Sequence, residues 1–97
     1  MKITPPIVEK GDIRRRLKEV GVEYDGLDNI VYFLRITNDG TFVDKTQEAD
    51  HVFVCPLDPR AYQHFPDGHV EIDLNSYVEE AVDDLYNQVC EYFNYEN

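Results

Sequence analysis

Residues 75–97 read NSYVEEAVDDLYNQVCEYFNYEN, and they constrain this chain more than any other stretch. Val78, Ala81, Val82, Leu85, Val89 and Phe93 recur with the period of an α-helix and form one apolar stripe. A stripe of that length has to be buried, and a sheet face is the natural cover. Ser76 and Glu79 have the spacing of a capping box, so the helix is predicted to start at Ser76, with the serine as N-cap. Its other faces carry six acidic residues and no basic one. The long terminal helix therefore needs both a sheet to cover and an explanation for its charge.

The sheet is legible upstream. Residues 30–37, IVYFLRIT, are β-branched and aromatic, as suits a strand buried largely on both faces. Asn38, Asp39 and Gly40 form a hairpin signal, and TFVDKT after them is the predicted return strand. HVFVCPL, residues 51–57, reads as a third strand, with Pro56 marking its end or a sheet edge. Residues 58–68 hold Pro59, Pro66 and Gly68 and read as a loop. HVEIDL then alternates, with Val70, Ile72 and Leu74 on one face and Glu71 and Asp73 on the other.

The start of the chain is simpler. Pro5 and Pro6 make residues 1–10 an extended arm, in which Ile3, Ile7 and Val8 can still reach the core. Asp12 is the predicted N-cap and Gly21 the terminating glycine of a short helix with a stripe of Ile13, Leu17 and Val20. The turn-rich VEYDGLDN follows. The 97 residues thus read as one domain, 1–97, of α+β class: a small two-layer fold, α-β-β-β-β-α, with an antiparallel four-stranded sheet under a short N-terminal and a long C-terminal helix.

Charge is where the sequence speaks to function. The net charge is −11, and it is unevenly laid out. Residues 1–20 balance to +3 and residues 21–97 to −14, and after Arg60 nine acids follow with no base. Such a field repels nucleic acid and anionic membrane and attracts basic proteins. With the apolar stripe turned inward, Glu79, Glu80, Asp83, Asp84 and Glu91 face out. Glu79 with Asp83, and Glu80 with Asp84, are like-charged i, i+4 pairs, each costing about 0.2–0.5 kcal/mol. The helix dipole welcomes Glu79 and Glu80 if they lie in the first turn, but it does not account for Asp83, Asp84 or Glu91.

The functional expectation is a carboxylate row for a cationic partner, extended by Asp67, Glu71 and Asp73 or accompanied by them as a second acidic surface. Tyr77 and Tyr95, expected to be exposed, supply apolar anchorage, while Tyr86 and Tyr92 border the core. Carboxylates about 6 Å apart along a helix and phosphates about 3.4 Å apart along a DNA strand are comparable but not matched. The bland counterpart is an acidic solvated face, or a homodimer that hides part of it.

The combination of small size, acidity and α+β content resembles a class of small proteins, many from phages, that imitate DNA. Uracil-glycosylase inhibitors and some anti-restriction and anti-CRISPR proteins belong to it. The resemblance implies a non-enzymatic inhibitor that occupies the basic DNA- or RNA-binding surface of a host protein. It rests on bulk properties, so no residue role is carried over. The alternative is a small structural or adaptor domain, homodimeric, whose acidity only confers solubility.

Other chemistries find less support. Cys55 and Cys90 lie in apolar stretches and read as buried free thiols. His51, Cys55, His64 and His69 lack zinc-ligand spacing. No nucleophile elbow, P-loop or dinucleotide fingerprint is present, so neither enzyme activity nor a cofactor is expected. Arg14, Arg15 and Arg16 either balance the chain's own acids, grip phosphate, or join a neighbouring subunit. The absence of an apolar leader and of a span of about 20 apolar residues makes a cytoplasmic location the expectation, the host cytoplasm if the protein is viral.

Overall fold

The computed structural model describes residues 8–24 and 29–93, apart from the side chain of Leu74. The order is α1 (Lys10–Val20), β1 (Glu23–Tyr24), β2 (Ile30–Ile36), β3 (His51–Pro56), a 3-10 turn (Pro59–Ala61), β4 (Tyr62–His64), β5 (Val70–Ile72) and α2 (Leu74–Phe93). The class is α+β, but the predicted single four-stranded sheet is corrected. Two antiparallel sheets are present, β1-β2-β3 and β4-β5.

β2 is the central strand because its sequence has something to bury on each side. Ile30, Tyr32, Leu34 and Ile36 face the helices and are fully buried, while Val31, Phe33 and Arg35 face outward, where only Val31 is fully buried. The hairpin turn forms as predicted, with Gly40 at φ 90° and its N–H donating to the Thr37 carbonyl. The return strand does not. Phe42 makes one bridge to Ile36, and Val43 N–H donates to the Arg35 carbonyl at 3.1 Å. Beyond Val43 the chain is polar, so nothing there rewards burial. The long partner of β2 is β3, with Tyr32 opposite Cys55 and Leu34 opposite Phe53.

The predicted loop 58–68 holds β4, which faces β5 with Gln63 opposite Glu71. The turn Phe65–Gly68 closes this second hairpin, with Gly68 at φ 94°. HVEIDL keeps its strand only over Val70–Ile72, since Leu74 already opens α2. The capping box at Ser76 is likewise corrected. The Asp73 carboxylate accepts from the Ser76 N–H at 3.2 Å, so Asp73 caps α2 and the helix starts three residues early, counted from cap to cap.

Residues 1–7, with Ile3, Pro5, Pro6 and Ile7, and the DGLD of residues 25–28 lie outside the described residues. The arm expected through residue 10 is shorter: Val8 is buried, Glu9 precedes the helix and Lys10 opens it. The Asp12 carboxylate accepts from the Glu9 N–H, so Asp12 closes the capping box instead of being the cap. Ile13 and Leu17 are buried as expected, but Val20 is 42% exposed. Gly21, at φ 75°, ends the helix by donating to the Leu17 carbonyl.

α1 and α2 lie antiparallel. Lys10 pairs with Asp83 and Arg14 with Glu79, so residue numbers run in opposite directions along the contact. Val78, Ala81, Val82, Leu85 and Val89 complete the core beneath β2 and β3, with Phe93 partly buried at its margin.

Candidate acidic interface

The carboxylates of α2 divide into two rows with different surroundings. Glu79 and Asp83 turn toward α1. Arg14 donates to both Glu79 oxygens, at 2.5 and 2.7 Å, and the guanidinium holds the Glu79 carboxyl below its ordinary range. Lys10 reaches Asp83 at 3.1 Å and lies over the Tyr86 ring. The arginines of α1 that sequence left unassigned are thus spent inside the chain: Arg15 pairs with Asp12 and Arg16 with Glu19. Because α1 starts at Lys10, these arginines sit beyond the first turn, where the helix dipole would have opposed them. Glu79 and Glu80 are also past the first turn of α2, so the dipole does not account for them.

The second row is Glu80, Asp84 and Glu91. At 100° per residue these three fall within about 40° of one another, on the side away from the buried stripe. All three are exposed, and none pairs with a cation among the described residues. Asp84 accepts from the Gln88 amide at 2.8 Å, and the same amide donates to the Val54 carbonyl at 3.0 Å. This fastens α2 beside β3. Between them runs a groove of about 400 Å³, lined by Tyr77, Glu80 and Asp84 from α2 and by Cys55, Pro56 and Leu57 from β3 and its end. Tyr77, expected to be exposed, is half-buried there and packs on the core.

The groove is acidic, and its one thiol is held protonated. Burial, reinforced by Asp84 and Glu80, pushes the Cys55 thiol up to about 12, which removes it as a nucleophile at neutral pH. Cys55 and Cys90 are both free and buried. At the groove's rim, hydrogen bonds from Arg60 lower the Asp58 carboxyl to about 2. Arg60 is thereby committed to Asp58, at 2.6 Å. Among the described residues that line the groove none is basic.

The remaining predicted residues do not join this site. Asp67 and Glu71 flank His69 on the β4-β5 hairpin, at 2.6 and 3.6 Å. Asp73 is engaged as the α2 cap. Tyr95 lies outside the described residues. Tyr92, expected at the core margin, is 57% exposed but touches the rings of His51, Phe53 and Phe93. His51 meets Asn38 at 2.6 Å, His64 lies edge-on to Tyr62 and His69 stacks on Phe65, so the histidines are dispersed.

Sequence reasoning missed Gln88 and Asp58. Gln88 carries no charge, and Asp58 sat in a stretch read as loop. The i, i+4 spacing of Asp84 and Gln88 was the available signal.

Comparison with known proteins finds no matching family model, no matching curated protein and no matching solved structure. Among the described residues no helix is long and apolar enough to cross a membrane.

Proposed function

We propose that this chain is a non-enzymatic acidic binding protein that docks its Glu80–Asp84–Glu91 row, with Tyr77 beside it, on the basic surface of a partner protein. The surface it fits is one that otherwise holds nucleic acid, so the protein acts as a nucleic-acid-mimicking inhibitor in a cytoplasm, in the manner of phage proteins that disarm a host. One observation carries the reading. The fold spends Arg14 and Lys10 on Glu79 and Asp83 and leaves the other row without an ion pair among the described residues, Arg60 lying near enough to feel Glu80 but bonded to Asp58. Long-range attraction makes such association fast and salt-sensitive.

The test uses tagged protein on a column loaded with nuclease-treated bacterial lysate, beside a Glu80→Gln, Asp84→Asn, Glu91→Gln variant. The reading expects a nucleic-acid-binding protein that the wild type retains, that elutes with salt or duplex DNA, and that the variant does not hold. Equal retention by the variant overturns it. The alternative, a homodimeric adaptor, draws on the exposed Val52 and Val54. A tight, salt-insensitive dimer in sedimentation moves the assignment there.

A further inference from the structure

β3 is an edge strand whose outer side is unpaired among the described residues. Its hydrogen-bonding alternation is set by Leu57 N–H donating to the Ile30 carbonyl at 2.8 Å. In an antiparallel ladder the same orientation recurs every second residue. Cys55, Phe53 and His51 therefore exchange bonds with β2, while Val52, Val54 and Pro56 turn their backbone groups outward. Two facts agree with this. The Val54 carbonyl is reached by Gln88 from α2, and Pro56, which has no N–H to offer, occupies an outward position. Among the described residues the Val52 N–H and carbonyl and the Val54 N–H have no partner and form an open template. Natural edges of this length are blunted by charge or proline. Among the described residues Pro56 and Gln88 alone serve that purpose here, and Val52 and Val54 are 55% and 41% exposed.

We infer that the β3 edge accepts an extended cationic segment of a partner as an added strand, with basic and apolar side chains alternating along it. The inference rests on the reading above and supplies the form of the partner. Two features define the occupant. Val52 and Val54 lie on the outer sheet face, opposite Arg35 and Phe33, and present apolar neighbours to every second residue of an added strand. The intervening residues fall on the inner side, toward the groove where Glu80 and Asp84 stand. The acid row also has the right length. α2 passes from Tyr77 near Leu57 to Tyr92 near His51, so it tracks β3 along its course. From Glu80 to Glu91 it rises about 16 Å, and six strand residues span about 17 Å. A second copy of the chain fits poorly, because each brings a charge of −11 to the contact.

Amide exchange followed by NMR tests this on the whole protein. In the free protein the Val52 and Val54 amides exchange fast, and those of Phe53 and Cys55 slowly. The probe is a short peptide of alternating lysine and valine, beside the same peptide N-methylated at alternate residues, which keeps its charge but cannot complete a ladder. The expected result is slowed exchange at Val52 and Val54 with the first peptide, and binding weaker by about tenfold or more with the second. Equal, salt-sensitive binding of both peptides overturns strand addition and leaves the acidic docking surface standing. Binding of neither overturns both. Protection of Val52 and Val54 in a peptide-free dimer overturns the inference in favour of self-pairing.

Discussion

Arg14 shows how one side chain settles the charge problem of α2. Its two-pronged contact places a cation against Glu79, next to the row where Glu79 and Asp83 repel. The sign of the pH effect follows. Glu79 is held below its ordinary value of 4.5, so its contribution is present above that value and is lost as pH falls through the lowered one. Arg14→Gln should lower the Tm by a small amount near neutrality, as befits an exposed pair. It should also lose less further stability than wild type between about pH 5 and about pH 3. Thermal denaturation across that range checks both. Asp58 gives a sharper readout. NMR titration should place its carboxyl midpoint near 2, and Arg60→Gln should return it toward the ordinary 3.8. A midpoint unmoved by the substitution would remove the Arg60 side chain as the cause and leave the Arg60 backbone N–H.

At the scale of elements, the start of α2 separates two capping schemes that the sequence offers equally. Ser76-x-x-Glu79 has the right spacing, yet Asp73 accepts from the Ser76 N–H and starts the helix sooner. Asp73→Ala should cost about 0.5–2 kcal/mol, and Ser76→Ala should stay within about 0.5 kcal/mol, as denaturant melts will show. The reverse order would restore the serine cap. Leu85, buried at the middle of α2, sets the larger scale: Leu85→Ala should cost about 2–5 kcal/mol, a sizeable part of a stability of about 5–15 kcal/mol.

The elements that sequence predicted well are those with strong periodicity, α2 and β2, because a continuous apolar stripe or run has few ways to be buried. The misses are weak elements. β4 is three residues of mixed polarity, and Phe65-Pro66-Asp67-Gly68 has the proline and glycine of a loop although it closes a hairpin. TFVDKT had a strong turn before it and no apolar alternation to sustain a strand.

For the molecule as a whole, a charge of −11 should make stability rise with salt from low ionic strength, since screening weakens the self-repulsion that the few internal pairs do not cancel. A Tm that falls on adding salt would mean those pairs dominate. The acidity, the amphipathic terminal helix, the buried central strand and the α+β class were determined by the sequence alone, because each follows from composition or from a period along the chain. Which acids are neutralised and which are left for a partner was decided only by the tertiary structure. Arg14 and Glu79 are 65 residues apart, and their pairing depends on the antiparallel packing of two helices. The edge position of β3 among the described strands is of the same kind: HVFVC reads as a strand anywhere in a sheet, and only its neighbours make it the last one.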